Sequence, residues 1–297
     1  MAKRAPNFRR VRLIVNPASG SPQPVLHDVD AALTAAGVDW DVAVTLHPGD
    51  ALSHALRAVD DRVDAVAVCG GNGTLAEAVE ALAGTGVPLA VLPGGTGNGF
   101  AGELGIAASI REAASLLATA PMRLRKVDLG RVGERMLLLR AGAGWIAETG
   151  IAASRDFKQQ AGPLAYMVGA LQALAEAPAV TYRVTVDGAV HEATGYTCLV
   201  MNGASVGTTG IRLLDKVAVD DGVLDVVVLA QMDLAQILSA LAALTGAGDI
   251  PSERWRGREI RVEADIEQQV VVDGEPAGTT PFEVKVEPAA LTVVVPK

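Results

Sequence analysis

Aromatic side chains are scarce in this sequence: four phenylalanines, three tryptophans and three tyrosines make up 3% of its 297 residues. The core must therefore be assembled from alanine, valine and leucine, as in α/β chains with small interior side chains. Cysteine is scarcer still. The two present, Cys69 and Cys198, each lie inside an apolar run that reads as a strand. That placement points to two buried thiols in a reducing compartment and away from a disulfide frame or a zinc site. No run reaches the roughly 20 apolar residues of a membrane-spanning helix, and no apolar stretch of signal-peptide length follows Lys3, Arg4, Arg9, Arg10 and Arg12 before Asn16 and Pro17 interrupt it. The expected location is cytoplasmic, with peripheral contact at the inner membrane face. Net positive charge is also missing. At −9 overall the chain repels nucleic acid, and only a local basic patch acting within a Debye length would draw it to an anionic surface. Finally, the lysine of G-x-x-x-x-G-K-[ST] is absent, and no G-x-G-x-x-G opens the first βα unit, so neither of these nucleotide fingerprints applies.

A length of 297 residues fits two domains. Over the first 125 or so, short β-branched runs alternate with alanine- and leucine-rich stretches at helical spacing. Strands are expected at Val11 to Val15, Trp40 to Thr45, Ala65 to Cys69 and Pro88 to Leu92. Helices are expected at Val25 to Ala36, Asp50 to Val59, Thr74 to Ala83 and Ser109 to Ala118. This is the pattern of a parallel-sheet α/β domain. From residue 126 to 285 the texture changes to short apolar runs, at Met136 to Leu139, Thr181 to Val186, Thr197 to Met201, Leu224 to Leu229, Arg258 to Ala264 and Gln269 to Val272. Turn signals such as Asp187-Gly188 and Asp221-Gly222 separate them, which favours an antiparallel, β-sandwich-like second domain. Helical spacing also appears at Leu164 to Ala175 and Leu234 to Leu244, the latter reading as a core-packing helix. Residues 286–297 are expected to return to the first domain.

Three strand-to-helix junctions in the first domain share one chemical character: Asn16-Pro17-Ala18-Ser19-Gly20, Gly70-Gly71-Asn72-Gly73-Thr74, and Pro93-Gly94-Gly95-Thr96-Gly97-Asn98-Gly99-Phe100. Glycines allow positive φ and close backbone approach, hydroxyls and amides add donors, and the helix starts leave N–H groups free for an anion. One such turn is an ordinary βα connection. Three on one sheet edge, where open α/β sheets place their ligands, argue for a polyphosphate.

In order and spacing these turns resemble the signatures of the diacylglycerol kinase catalytic domain, a family that includes bacterial lipid kinases and sphingosine kinases. The resemblance continues through Val127-Asp128-Leu129-Gly130, Ala141-Gly142-Ala143-Gly144-Trp145, Lys158 with Gly162 and Tyr166, Asp220-Asp221-Gly222-Val223-Leu224-Asp225-Val226 and Val272-Asp273-Gly274-Glu275, and so spans nearly the whole chain. It implies an ATP-dependent lipid kinase whose nucleotide lies between the domains. Asn16, Ser19, Gly20, Thr45, Gly70, Gly71, Gly73, Thr74, Gly95, Thr96 and Asn98 would surround the phosphates and sugar. It implies Glu275 as the general base that takes the lipid hydroxyl proton, with Asp273 as a charged neighbour and Asn72 at the reacting end. Mg²⁺ would be held by Asp128, Asp215, Asp220 and Asp221. The implied partner is a lipid met at a membrane surface, such as diacylglycerol or a related acceptor, with no nucleic acid; a homodimer is left open.

The sequence departs from the family pattern where acids are usual. Asn72 and Gly99 stand where aspartates are expected, and Lys216 takes the usual acidic position ahead of the Asp-Asp-Gly turn, with Asp215 displaced by one. A second reading therefore stays open: a nucleotide-binding homologue with weakened or lost transfer that acts in binding or regulation. A third, NAD kinase-like reading shares the G-G-x-G-T turn. Trp145, Phe157, Tyr166 and Trp255 are candidates to line an apolar acceptor cleft, and Arg254, Arg256, Arg258 and Arg261 to meet lipid headgroups.

Overall fold

The computed structural model describes residues 8–20, 23–118, 120–144, 179–206, 211–212, 214–230 and 252–297. The candidate aromatic residues Trp145, Phe157 and Tyr166, the Lys158 segment, and both expected helices of the second half lie outside these residues.

The first half alternates as its periodicity dictates: β1 (Arg10–Val15), α1 (Val25–Leu33), β2 (Asp39–Val44), α2 (Asp50–Asp60), β3 (Ala65–Gly70), α3 (Asn72–Leu82), β4 (Leu89–Pro93), α4 (Gly99–Glu103) and α5 (Ile110–Ser115). The strands run parallel in the order β2-β1-β3-β4. All six residues of β3 are buried, as expected of a central parallel strand covered on both faces. Helix α2 packs on α3, and α1 on α5. Two helices are shorter than expected. The first ends at Leu33 and tightens into a 3₁₀ turn over Thr34–Ala36 before Gly37 takes φ 69°. The stretch after Ser109 is helical only to Ser115, its start capped by the Ser109 hydroxyl, which accepts the Glu112 N–H.

The second half contains β5 (Met122–Val132), β6 (Arg135–Leu137), β7 (Arg140–Gly144), β8 (Val180–Val186), β9 (Ala189–Met201), β10 (Ser205–Val206), β11 (Ile211–Arg212), β12 (Leu224–Ala230), β13 (Ser252–Gly257), β14 (Glu259–Ala264), β15 (Gln269–Val272), β16 (Glu275–Thr279) and β17 (Phe282–Pro296). Pairing here is antiparallel, except where β17 meets β4. The Asp187-Gly188 signal makes the two-residue β8–β9 hairpin, with φ of 48° and 88° at those positions, the double positive φ that an Asp-Gly hairpin turn supplies. The Asp187 carboxylate also receives the N–H groups of Arg258 and Glu259.

A single strand joins the halves. The first part of β17 pairs with β14 (Lys285 opposite Glu259), and its last part lies parallel to β4 (Val293 opposite Leu89). From Lys285 onward β17 also runs antiparallel to β5, with a bulge between Glu287 and Leu291 where Ala289 has φ 51°. One hydrogen-bonded sheet thus crosses both halves, with a separate apolar core on each.

Both cysteines are free and buried. Burial pushes the Cys69 thiol up to about 11 and the Cys198 thiol higher still. Because the thiolate is the nucleophile, native protein at pH 8 is expected to resist iodoacetamide for hours while unfolded protein takes up a label at each cysteine. Mass spectrometry showing rapid native labelling of Cys69 would contradict this burial.

Candidate nucleotide cleft

The three glycine turns are one object. Asn16 extends β1, its N–H donating to the Cys69 carbonyl, and its side-chain Nδ2 donates to Thr74 Oγ1 at 2.8 Å. Its Oδ1 closes the first turn by accepting the Ala18 N–H. Ser19 Oγ accepts the Gly71 N–H at 3.3 Å, tying the first turn to the second. Gly20, at φ 64°, packs so closely on the Gly94 carbonyl that no β-carbon fits, and a β-carbon on Gly95 would stand 2.5 Å from Gly71 Cα. The third turn is closed by one side chain: Asn98, itself at φ 51°, accepts the Gly95 N–H and donates to the Gly95 carbonyl at 2.8 and 2.7 Å. Glycine is required here by backbone-on-backbone contact.

The first two turns form one wall of a cleft of about 710 Å³, a size typical of small-molecule sites. Asn16, Ser19, Thr45, Gly71, Gly73 and Thr74 line it from the first half, and Arg135, Met136, Val272, Asp273, Glu275 and Pro276 from the second. Gly20, Gly70, Gly95 and Asn98 stand behind that wall and shape it. Thr96 is exposed and does not line the cleft. Thr45 is buried at the end of β2, its N–H on the Val15 carbonyl. The sequence reading missed Arg135, which reaches across to donate to the Pro276 carbonyl at 2.8 Å; its only local signal is a basic residue after the Gly133-Glu134 turn.

Glu275 follows a two-residue hairpin turn made by Asp273 (φ 49°) and Gly274 (φ 98°). The turn is an ordinary hairpin, and it also delivers Glu275 to the phosphate loops: its Oε1 is 3.5 Å from where a β-carbon on Gly73 would stand. Asp273 is used differently from the expectation. Its carboxylate is buried and receives the backbone N–H groups of Leu138, Leu139 and Arg140 at 2.7, 2.9 and 3.1 Å, so it organises the β6–β7 connection. Burial pushes its pKa upward against those hydrogen bonds.

The four aspartates expected to share a cation do not come together as a cage. Asp128 is buried and takes the N–H groups of Gly222 and Ala289, both at 2.7 Å, pinning β5 to the loop before β12 and to the β17 bulge. Asp220 pairs with Arg125 at 2.7 Å, and that hydrogen bond holds its carboxyl below the usual range. Asp221 pairs with Arg256. Asp215 and Lys216 are exposed, Lys216 at φ 62°. Among the described residues no group of three or more histidine, cysteine, aspartate or glutamate side chains is placed to hold an ion. These side chains therefore do not fit a common Mg²⁺ site: N–H donors and guanidinium groups occupy the oxygens of Asp128, Asp220 and Asp221, and Asp215 is exposed apart from them. Asp221-Gly222 is accordingly not a hairpin turn but an anchored loop. Asp225, buried, accepts from Arg254 at 2.7 Å and Arg256 at 3.1 Å, so two arginines expected to meet headgroups are committed inward. Arg261 pairs with Glu263 and Glu283. Trp255 stacks on His191, ring centroids 5.0 Å apart, outside the cleft.

Gly99 has a steric cause. A β-carbon there would lie 2.9 Å from Leu139 Cδ1 and 3.1 Å from the Ser205 carbonyl oxygen. Restoring the family's acid by Gly99→Asp is expected to lower stability by about 1–3 kcal/mol through overpacking, read as a fall in the midpoint of denaturant unfolding. An unchanged midpoint would show that this seam is looser than described.

Comparison with known proteins agrees with the geometry. The diacylglycerol kinase catalytic domain family matches residues 10–132, and the YegS C-terminal NAD kinase beta sandwich-like domain matches residues 142–295. A diacylglycerol kinase of Staphylococcus saprophyticus is 27% identical over 282 residues, 92% of this chain and 91% of that protein. A Synechocystis protein is 30% identical over 234 residues, 76% of this chain but only 54% of its own length. Among solved structures, a diacylglycerol kinase from Bacillus anthracis str. Sterne is 28% identical, with a TM-score of 0.76 and 97% of each chain covered. Another structure from the same organism reaches a TM-score of 0.82 at 27% identity, covering 99% of this chain and 97% of that one. With both domain matches in chain order and the likeness running through the whole fold, the chain belongs to the diacylglycerol kinase family of bacterial lipid kinases.

Proposed function

We propose that this protein transfers the γ-phosphoryl group of ATP to the hydroxyl of a diacylglycerol-like lipid. The observation that carries this reading is the position of Glu275, which comes from the second half to line the cleft beside the second glycine turn, its Oε1 3.5 Å from where a β-carbon on Gly73 would stand. The turns have no lysine to grip phosphates, so backbone N–H groups and the start of α3 supply the positive potential. Arg135 adds a guanidinium at the opposite wall. The acceptor hydroxyl approaches Glu275, whose carboxylate takes its proton as the oxygen bonds to phosphorus and the bond to the leaving ADP oxygen breaks. Asp273 contributes by fixing the β6–β7 connection and the hairpin that presents Glu275.

No helix among the described residues is long and apolar enough to cross a membrane, and in this reading the enzyme meets its lipid at the bilayer surface. Labelled ATP with mixed micelles of diacylglycerol, a sphingoid base or phosphatidylglycerol tests the proposal. Transfer to one of them is expected. Tight ATP binding with transfer to none would favour a nucleotide-binding homologue without catalysis.

A further inference from the structure

Strand β2 closes one end of the long sheet, with β1 as its one strand neighbour. The Asp39 and Thr45 N–H groups donate to the Arg9 and Val15 carbonyls. Backbone direction alternates along a strand, so the N–H and C=O groups of Trp40, Val42 and Val44 point outward, away from β1. Among the described residues one side chain hydrogen-bonds to this row: His54, its Nε2 3.2 Å from the Val44 carbonyl, an oxygen with a second lone pair to offer. The same alternation sets the side chains of Trp40, Val42 and Val44 on one face. Val42 and Val44 are 43% and 45% exposed, and Leu46, just past the strand, 76%. No other described strand exposes two large apolar side chains.

Unpaired edges recruit other strands unless charge, proline, a bulge or shortness blunts them. The other outer strands of this sheet are blunted. Strand β13 carries Glu253, Arg254 and Arg256, β16 carries Pro276, and β6 has three residues. Strand β2 has no proline, no lysine and no break in register. Its two aspartates, Asp39 and Asp41, lie on the face opposite the valines, and Asp41 is paired with Arg12 at 2.6 Å.

We propose that this edge is the contact between two copies of the chain, with β2 of one lying antiparallel to β2 of the other across a twofold axis. Such an axis keeps each face on its own side of the joined sheet, so the valine faces adjoin. Centring it on Val42 sets Val42 opposite Val42 and Trp40 opposite Val44, at hydrogen-bonded positions. The outward groups of all three residues are then paired, and the apolar row of one copy continues into that of the other. Charge selects this register. Centring on Trp40 sets Asp39 against Asp41, and centring on Asp41 sets that carboxylate against itself; like charges directly opposite are unfavourable. Centring on Val42 sets Asp41 against Ala43 and Asp39 against Thr45. Centring on Ala43 also avoids opposed acids, but it leaves Trp40 opposite Leu46, beyond the strand. Pairing of strands this short belongs with interfaces under about 1,200 Å², so the dimer dissociates on dilution.

Sedimentation velocity of the full chain over a wide range of concentration tests the contact. Wild type is expected to shift from monomer toward dimer as concentration rises. Val42→Lys, which sets a cation against its own copy, is expected to weaken association by roughly tenfold or more. Val190→Lys, at a valine of β9 that is also exposed, should associate like wild type. A wild type that stays monomeric throughout, or a Val42→Lys dimer as strong as that of wild type, would overturn the proposal. If the lysine variant does not fold, Val42→Cys decides, because the side chain stays small and the position faces itself. A short bismaleimide is expected to join Val42→Cys into a covalent dimer, while Val190→Cys and wild type, whose Cys69 and Cys198 are buried, remain single chains. Cross-linking of Val42→Cys no faster than that of Val190→Cys would overturn the contact.

Discussion

Replacing Glu275 by glutamine is expected to lower kcat by about 10²- to 10⁴-fold, the usual range for removing a general base, while leaving the affinity for ATP within about twofold. Two features separate this outcome from a structural defect. Glu275 is exposed at the mouth of a hairpin whose shape is set by Asp273 and Gly274, both at positive φ. Its carboxylate also makes no hydrogen bond or ion pair within the described residues, so the amide leaves no buried group unsatisfied. The thermal midpoint should therefore stay that of wild type. A Glu275→Gln enzyme with wild-type kcat would remove the carboxylate from the mechanism and leave the cleft without an assigned base.

Gly95→Ala is expected to abolish measurable nucleotide binding, a loss of at least tenfold in Kd, although Gly95 is set back from the cleft. The added β-carbon would stand 2.5 Å from Gly71 Cα and 3.1 Å from the Gly71 nitrogen, and both neighbours are backbone. The second and third turns must separate, which also strains the Ser19 contact to the Gly71 N–H. Overpacking of this kind costs about 1–3 kcal/mol, so the protein should fold with a lower midpoint. Gly97→Ala is the control, since nothing lies within 4 Å of a β-carbon there; it should bind nucleotide normally. Equal affinity in Gly95→Ala and Gly97→Ala would show that the joined turns do not shape the phosphate site.

The glycine turns and the parallel strands were legible in the sequence because their causes are local. A strand buried on both faces must be apolar throughout, as in Ala65 to Gly70, and a turn that touches another backbone must lack side chains. A return of residues 286–297 to the first domain was expected from the sequence, but the continuity of strand β17 was not legible. Its fifteen residues pass through Glu287-Pro288-Ala289, which reads as a break and is in fact a bulge that lets one strand serve both cores. Strand β5 carries Arg123, Arg125, Lys126 and Arg131 among its apolar residues, so its length is set by pairing with β17, not by periodicity.

The acidic residues show the same limit. Asp128, Asp220 and Asp221 were legible as a cluster of charge, but a carboxylate's role depends on the partners that folding brings to it. Those partners are 94 and 161 residues away for Asp128 and 35 away for Asp221. Asp273 was placed correctly beside Glu275 in the chain, yet its oxygens face a connection more than 130 residues earlier. Arg135 and Arg140 drew no notice because an arginine beside a short strand has no local signature. Their neighbours are set by the fold: Arg135 meets the Pro276 carbonyl at the cleft and Arg140 approaches the Ser205 carbonyl.

The most direct test is a crystal structure of the protein with a non-hydrolysable ATP analogue at saturating concentration. The phosphates are expected within hydrogen-bond distance of the Gly71-to-Thr74 segment and of Ser19, with the Glu275 carboxylate beside the γ-phosphorus. Nucleotide bound elsewhere, or a cleft that stays free of nucleotide while calorimetry shows binding, would contradict the account.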